Sequence, residues 1–276
     1  MAAKLFALLV LCCWVSPWAA AASDLRHTPP AWRSLGPGIS FTEVGVVQEG
    51  ETLTNLAVVK IDPANNAFRV FHRDPRSIRE WQAELNAPVV FNASYYDKAG
   101  QPVGLVISDG KLLGPLHNRL MRGMFVAEPR GMSPDLPRAT ILDLRANPIN
   151  PRKLPWSQGV QSFPLLLDYK GNIRVTNSDK KSYRTVIAAD RVGNILVFNT
   201  ASRFFTLHDF ARFLKASAFN IDSALNLDGG TEAQLFIKSA DFEYFSPPSW
   251  ETSIGTLLEG DKFMLPTVVG VFPRQD

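Results

Sequence analysis

One short segment near the end of this chain combines residue types that suit chemistry better than stability. A mostly apolar stretch, residues 224–227, runs into Asp228, and Gly229 and Gly230 follow it. Asn226 lies two residues before Asp228, so a strand would project both side chains from one face. Paired glycines let a ligand approach the backbone closely. Because Asp-Gly is also a strong turn signal, this segment alone fits a binding site and a plain hairpin equally well.

A second apolar stretch of the same kind lies upstream and also ends in polar residues. Residues 89–91 run into Asn92, and Asp97 follows in the same polar segment. Arg184 lies in a further predicted strand, residues 182–189, and offers two parallel donors, an arrangement that suits phosphate. The groups near predicted strand ends that could do chemistry are therefore Asn92, Asp97, Arg184, Asn226, Asp228 and Glu232.

Two chemistries use such a set of carboxylates, amides and a guanidinium. Glycoside cleavage places carboxylates around an oxocarbenium-like transition state and needs no cofactor. Alternatively, the oxygen atoms could hold Ca²⁺ or Mg²⁺. The chain has no Gly-x-Ser-x-Gly segment, phosphate-binding loop or dinucleotide fingerprint, and its four histidines lack metal-ligand spacing. Among the histidines, His117 is the best placed for a binding role, because it lies in a polar stretch after a strand.

Residues 1–22 are typical of a secretory signal peptide. Lys4 supplies a basic start, residues 5–14 are apolar, and small residues at 19–22 suit cleavage. Both cysteines, Cys12 and Cys13, lie in this segment, so the mature chain is expected to form no disulfide and no thiol site. We therefore expect a secreted or periplasmic protein that is not stably inserted in a membrane once the signal is removed.

The composition is that of an ordinary globular protein. Of 276 residues, 46% are hydrophobic, and the formal net charge is +3. Basic residues are scattered without a run of five or more, so a nucleic-acid partner is not predicted. A mildly positive chain is compatible with an anionic substrate.

The elements that position the polar groups are predicted to be mainly strands. One helix is predicted after the capping-box pair Ser77 and Glu80, and another after Thr206. Strands outnumber helices without strict alternation, which predicts an α+β fold with a mixed, mainly antiparallel sheet and a few packed helices in a single domain. We place this domain at residues 39–276, after an extended leader at 23–38, and expect a long surface excursion at 130–155.

The order and spacing of four segments resemble a known family. The segments are residues 92–97, residues 100–110 with Gly104, the strand 183–187 with Arg184, and the helix 207–214 followed by residues 224–230. Together they are similar to the phosphodiester glycosidase domain of the lysosomal uncovering enzyme and its secreted bacterial relatives, over roughly residues 92–272. The resemblance implies a hydrolase that releases a sugar from a sugar-1-phosphodiester in a glycoconjugate or an envelope polymer.

The same resemblance implies a role for each polar candidate. Arg184 would hold the phosphate and Asp228 would face the sugar, while Asp97 or Glu232 would activate water. The remaining candidates would bind the substrate: Asn92, Asn226, Gly229, Gly230, Gly104 and His117.

The chain departs from the family's pattern directly beside Asp228. Thr231, Glu232 and Ala233 stand where the family has a third glycine and two serines, which adds a charge to the pocket floor. Two alternatives therefore stay open. One is a non-catalytic module that binds a glycan or an envelope polymer.

The other alternative is a metal-dependent phosphodiesterase. In that interpretation Asn92, Asp97 and Asp228 would act as hard oxygen ligands of Ca²⁺ or Mg²⁺.

Overall fold

The computed structural model describes residues 25–131, 135–248 and 264–274, so the predicted signal peptide lies outside the described residues. The described strands are β1 (Arg26–His27), β2 (Arg33–Gly36), β3 (Ile39–Gln48), β4 (Glu51–Ile61), β5 (Asn66–Arg76), β6 (Val89–Asn92), β7 (Val106–Ser108), β8 (Lys111–Leu113), β9 (Gly123–Pro129), β10 (Ala139–Asp143), β11 (Trp156–Ser162), β12 (Leu165–Leu167), β13 (Thr185–Asp190), β14 (Ile195–Thr200), β15 (Ile221–Asn226), β16 (Leu235–Ser239), β17 (Phe242–Ser246) and β18 (Leu265–Pro273). The described helices are α1 (Ile78–Leu85), α2 (Leu207–Ala216) and two short 3₁₀ helices, Pro151–Lys153 and Gly230–Glu232.

Three antiparallel sheets build the domain. The first has the order β1-β3-β4-β14-β13-β15-β12, with β2 also paired to β3. The second has the order β10-β9-β11-β7-β8, and the third has the order β17-β16-β6-β18-β5. Within the described residues, every registered pair of these strands is antiparallel. The predicted α+β class, with mainly antiparallel strands and few helices in one domain, is confirmed.

Side chains alternate between the two faces of each sheet, so one strand contributes to two apolar clusters. On β4, the side chains of Ala57, Val59 and Ile61 join a central core to which all three sheets contribute. Leu56 and Val58, on the other face, join the cluster that includes the buried residues of α2. This period of two is the pattern by which the sequence predicts strands.

Both helices begin where the sequence predicts. Ser77 and Glu80 form a complete capping box before α1, and the helix ends at Asn86 in the left-handed conformation. Thr206 caps α2, because its hydroxyl oxygen accepts a hydrogen bond from the backbone N–H of Asp209 at 3.0 Å. Each capped helix is followed by the strand that carries one set of polar residues, α1 by β6 and α2 by β15.

The segment 130–155 differs from the predicted surface excursion. Its middle forms β10, which pairs along its whole length with β9. Ala139 and Ile141 of that strand are buried in the central core. Residues 139–143 alternate between buried and half-buried side chains, as a strand does. The many prolines and arginines on either side of this short strand led the composition of the segment to predict a loop.

The two ends of the described chain both lie in sheets. The predicted extended leader, residues 23–38, contains β1 and β2, both of which pair with β3 at the edge of the first sheet. The last described strand is β18, which lies between β5 and β6 of the third sheet. Residues 249–263, which precede it, lie outside the described residues.

The two polar strand ends meet at the junction of the first and third sheets. β15 belongs to the first sheet and β6 to the third. The backbone N–H of Asp228, just after β15, donates to the carbonyl oxygen of Ala93, just after β6, at 3.1 Å. The fold therefore joins two segments that lie far apart in sequence.

Candidate active site

Asn92 ties the two strand ends together. Its side chain is buried, and its Nδ2 donates to the carbonyl oxygen of Asp228 at 2.8 Å, across 136 residues of sequence. Its Oδ1 accepts from the backbone N–H of Gln234 at 3.1 Å. The amide nitrogen and the amide oxygen of Asn92 are thus both hydrogen-bonded to backbone groups. Asn92 therefore holds the two strand ends together, and its Oδ1 already accepts one hydrogen bond.

Asn226 and Tyr95 form a polar layer beneath the site. Asn226 Nδ2 donates to Tyr95 Oη and to the carbonyl oxygen of Phe163, both at 3.0 Å. Asn226 Oδ1 is buried and has no hydrogen-bond partner within the part of the chain that the structure describes. Burial, followed by the charge of Asp228, raises the pKa of Tyr95 well above its usual value, so this hydroxyl stays protonated.

Arg184 lies beside Gly229 with an incompletely paired guanidinium group. The residue is only 6% exposed, and Nη2 donates to the carbonyl oxygen of Lys180 at 3.0 Å. Nε is buried without a hydrogen-bond partner among the described residues. Burial lowers the pKa of Arg184, but a guanidinium group remains charged at neutral pH. A buried cation of this kind is costly unless an anion joins it.

Gly229 and Gly230 make room for this arrangement. A methyl group on Gly229 would lie 3.0 Å from the carbonyl oxygen of Tyr183 and 3.5 Å from Arg184 Nη1. Gly230 has a φ of 81°, in the left-handed region that favours glycine. It begins the 3₁₀ turn Gly230–Glu232, and a methyl group on it would lie 3.5 Å from the Glu232 carboxylate.

Asp228 and Glu232 are a pair of half-buried carboxyl groups. Asp228 Oδ1 accepts from the backbone N–H of Gly229 at 2.9 Å. Glu232 accepts from the hydroxyl groups of Thr231 at 3.0 Å and Tyr96 at 3.4 Å. Burial, followed by the negative charge of Glu232, raises the pKa of Asp228 to about 7. Asp228 therefore exchanges a proton near neutral pH, the range that suits acid–base catalysis.

Three of the predicted site residues lie elsewhere. Asp97 is exposed, and its Oδ1 accepts from two backbone N–H groups of the following turn, each at 2.9 Å. Gly104 packs against Gln161, since a methyl group there would lie 2.9 Å from the Gln161 carbonyl oxygen. His117 is exposed and lines a separate pocket. The other predicted residues come together around one site: Asn92, Arg184, Asn226, Asp228, Gly229, Gly230 and Glu232.

Sequence reasoning missed the two tyrosines that follow the β6 strand end. Tyr95 contacts Asn226, and Tyr96 contacts Glu232. Burial, followed by the charges of Glu232 and Asp228, raises the pKa of Tyr96 above its usual value. Two consecutive tyrosines in a polar segment after a buried strand are a usable signal, because each has an apolar ring and one hydroxyl group that needs a partner.

Two further properties bear on the kind of site. In residues 25–131, 135–248 and 264–274, no group of three or more His, Cys, Asp or Glu side chains is placed to hold a metal ion. No helix within these ranges is both long enough and apolar enough to cross a membrane.

Comparison with known proteins gives one sequence match and several structural ones. The sequence model of a family described as phosphodiester glycosidase matches residues 85–272. No curated protein matches in sequence. The zebrafish N-acetylglucosamine-1-phosphodiester alpha-N-acetylglucosaminidase catalytic domain, auto-inhibited by its pro-peptide, is 19% identical with a TM-score of 0.61, covering 94% of this chain and 92% of that chain. A hypothetical protein from Synechocystis is 15% identical with a TM-score of 0.61, covering 92% of this chain and 68% of that chain. At these identities the structural likeness shows the fold.

Proposed function

Because this chain belongs to the phosphodiester glycosidase family, we propose that it is a hydrolase that releases a sugar from a sugar-1-phosphodiester in a glycoconjugate or an envelope polymer. One observation carries the proposal. Around one site lie a carboxyl group that titrates near neutral pH, a second carboxylate and a buried guanidinium without a carboxylate partner in the described chain: Asp228, Glu232 and Arg184.

Arg184 is proposed to hold the phosphate group. Water attacks the anomeric carbon, the bond from that carbon to the bridging oxygen breaks, and a phosphate monoester leaves with the electron pair. The guanidinium supplies the charge and the hydrogen bonds that stabilise the departing anion. A phosphate monoester is a good leaving group, so the site needs no strong acid to protonate it.

The two carboxyl groups are proposed to serve the sugar side of the reaction. In its ionised form Asp228 steadies the positive charge that develops at the anomeric carbon. Glu232, held by the hydroxyl groups of Thr231 and Tyr96, takes the proton of the attacking water. Asp97 fits this step less well, because its Oδ1 accepts two hydrogen bonds from backbone N–H groups of the turn that follows it.

The reaction is proposed to need no metal ion and no other cofactor. In this proposal Arg184 supplies the positive charge that the phosphate group needs. The metal-dependent alternative requires free oxygen atoms on Asn92, Asp97 and Asp228, yet Asn92 Oδ1 accepts a hydrogen bond from the backbone N–H of Gln234. We expect EDTA to leave the rate unchanged. A loss of rate that Ca²⁺ or Mg²⁺ restores would support the metal enzyme instead.

The protein is further proposed to act in a secreted or periplasmic location. The support is the sequence of residues 1–22, with its basic start, apolar middle and small residues. Amino-terminal sequencing of the protein recovered from the medium or the periplasm should find a chain that begins near residue 23. Recovery of the uncleaved chain from the cytoplasm would contradict this proposal.

Two substitutions test the catalytic roles. We expect kcat/KM for a sugar-1-phosphodiester to fall about 10²–10⁴-fold in Asp228→Asn and about 10²–10³-fold in Arg184→Ala. Release of free sugar is the measurement, and circular dichroism checks that both variants fold. The exposed residues Asp179 and Arg152 provide the matched controls Asp179→Asn and Arg152→Ala. Near-normal turnover in either active-site variant removes that residue from the mechanism.

The same assay separates the enzyme from a non-catalytic binding module. A module would bind the phosphodiester, which calorimetry detects, while the unmodified protein released no sugar. That pair of results would overturn the proposed hydrolase activity.

A further inference from the structure

A pocket with a distinct chemistry opens outside the cluster of residues around Asp228. It has a volume of about 390 Å³ and combines basic side chains with an apolar lining. We call it the arginine pocket. Its basic residues, and two of its apolar ones, are His117, Arg119, Arg122, Arg145, Leu116 and Ile149.

The guanidinium groups of the arginine pocket have no carboxylate partner in the part of the chain that the structure describes. Asp143, the acidic residue nearest to Arg145 in sequence, is buried and is already paired with Arg174 at 2.9 Å. Arg122 Nε instead donates to the carbonyl oxygen of Arg119. Several positive charges in one concave site repel each other and attract an anion.

The backbone that carries these arginines is fixed although their side chains are exposed. The N–H of Leu144 donates to the carbonyl oxygen of Arg122 at 2.9 Å, which joins the two loops of the pocket. Asn118 Nδ2 donates to the carbonyl oxygen of Val103 at 2.7 Å. The backbone of the pocket is therefore held in place before a ligand arrives, which removes that part of the entropic cost of binding.

The arginine pocket adjoins the active site across the end of β11. Gln161 lines the pocket, and its Nε2 donates to the carbonyl oxygen of Met121 at 2.8 Å. Two residues later, the carbonyl oxygen of Phe163 accepts hydrogen bonds from Tyr95 and Asn226 at the active site. Two residues of chain span at most about 7 Å, so a short piece of one chain segment joins the arginine pocket to the Tyr95 and Asn226 side of the active site.

We propose that the arginine pocket binds a second phosphate group of the substrate, at a position other than the cleaved linkage. Arginine forks match phosphate oxygens, and the apolar lining suits the carbon skeleton between two phosphate groups. This inference rests on the proposed function and narrows it, because the preferred substrate becomes a chain with several phosphodiester groups.

The kinetic test compares two substrates. One is a sugar-1-phosphodiester with a single phosphate group, and the other carries the same sugar at the end of an oligo(glycerol phosphate) chain. In the triple variant Arg119→Gln, Arg122→Gln, Arg145→Gln, we expect KM for the oligomer to rise about tenfold or more while kcat stays unchanged. Both constants for the single-phosphate substrate should stay unchanged. The control is Arg152→Gln, an exposed arginine of a neighbouring turn.

Binding is measured separately by calorimetry, with the oligo(glycerol phosphate) chain alone and with inorganic phosphate. We expect the triple variant to lose at least tenfold in affinity for the oligomer. Equal KM values and equal oligomer affinities in the triple variant and the unmodified protein would overturn the inference. Inorganic phosphate that binds as tightly as the oligomer would assign the pocket to a free anion and would also overturn it.

The experiments distinguish a failure of the proposed hydrolase activity from a failure of the inference about the arginine pocket. If the unmodified protein turns over neither substrate, hydrolase activity is contradicted. The calorimetry still decides the pocket, because the triple variant either loses oligomer affinity, which supports the inference, or retains it, which refutes the inference.

Discussion

Asp168 and Asp228 lie at opposite ends of one antiparallel strand pair, and their surroundings differ. Asp168 follows β12 and Asp228 follows β15, the strand that pairs with β12. The Asp168 carboxylate accepts from the backbone and the side chain of Asn172 and from Arg174 at 2.9 Å. The Asp228 carboxylate accepts from Gly229 and lies beside a second carboxylate, Glu232.

The pKa values of the two aspartates shift in opposite directions. Burial by itself raises the pKa of Asp168, but the hydrogen bonds from Asn172 and Arg174 outweigh it and lower that pKa below the usual range. At Asp228 burial acts together with the charge of Glu232, and the pKa rises to about 7. The same residue type is thus a fixed anion in one place and a titrating group in the other.

The two arginines near these aspartates differ in the same way. Arg174 contacts two carboxylates, Asp143 and Asp168, each at 2.9 Å. Arg184 has no carboxylate partner in the described ranges, and its Nε lacks a hydrogen-bond partner there. Polar groups that satisfy each other stabilise a fold, whereas buried groups left without partners mark a place where a ligand is expected.

Removal of Arg174 should have the largest effect on stability. Arg174→Met leaves Asp143 and Asp168 without their cation, and we expect the free energy of unfolding to fall by about 3 kcal/mol at pH 7. The Asp168 pKa is lowered in the folded state, so this loss should shrink as pH falls below about 4, where carboxylates become protonated. Urea unfolding at pH 7 and pH 3 measures it.

The matched control for this prediction is Arg152→Met. Arg152 is an exposed arginine, so its replacement should change stability by no more than about 0.5 kcal/mol. If Arg174→Met behaves like this control, the Asp143–Arg174–Asp168 cluster is not a stabilising unit and the comparison fails.

Asp228→Asn should raise the free energy of unfolding, whereas Arg174→Met lowers it. The folded-state pKa of Asp228 is raised to about 7, so ionisation of this half-buried carboxyl group costs stability as pH rises through the window between about 4 and 7. We expect the variant to be more stable than the unmodified protein by about 1–2 kcal/mol at pH 8, after allowance for solvent screening. At pH 4 the gain should be nearly absent.

Thermal unfolding at pH 4 and pH 8 measures this difference. Asp179→Asn, at an exposed position, should give no gain at either pH. An Asp228→Asn protein that is less stable than the unmodified one at pH 8 would show that the carboxylate serves the fold rather than the site.

Glu232→Gln should change stability least of the three variants, although removal of the proposed base lowers kcat/KM itself. Burial is the first cause of the raised Asp228 pKa and the Glu232 charge is the second, so the variant keeps part of the shift. We expect the limb of the kcat/KM–pH profile that reports Asp228 to move to lower pH. Glu243→Gln is the control, because Glu243 lies on β17 of the third sheet and pairs with Arg79 of α1. An unmoved limb would mean that Glu232 does not act on Asp228.

The sequence predicted the parts of the structure that depend on neighbouring residues. The helix caps at Ser77 and Thr206 and the two apolar strands with polar ends follow from local spacing. The resemblance to the phosphodiester glycosidase family is confirmed for the same reason. A family match depends on the residues of each segment and on the order of the segments along the chain, and the sequence contains both.

Only the tertiary structure decided which polar side chains lie at the site and which are hydrogen-bonded within their own turn or ion pair. Asp97 and Glu232 were equal candidates in the sequence, yet the first caps its own turn and the second stands beside Asp228. The sequence singled out Arg184, but only the structure shows that its Nε lacks a hydrogen-bond partner among the described residues while Arg174 is paired with two carboxylates. The physical reason is that a hydrogen bond or a charge pair depends on distance in space. The Asn92–Asp228 contact crosses 136 residues of sequence, which no local pattern records.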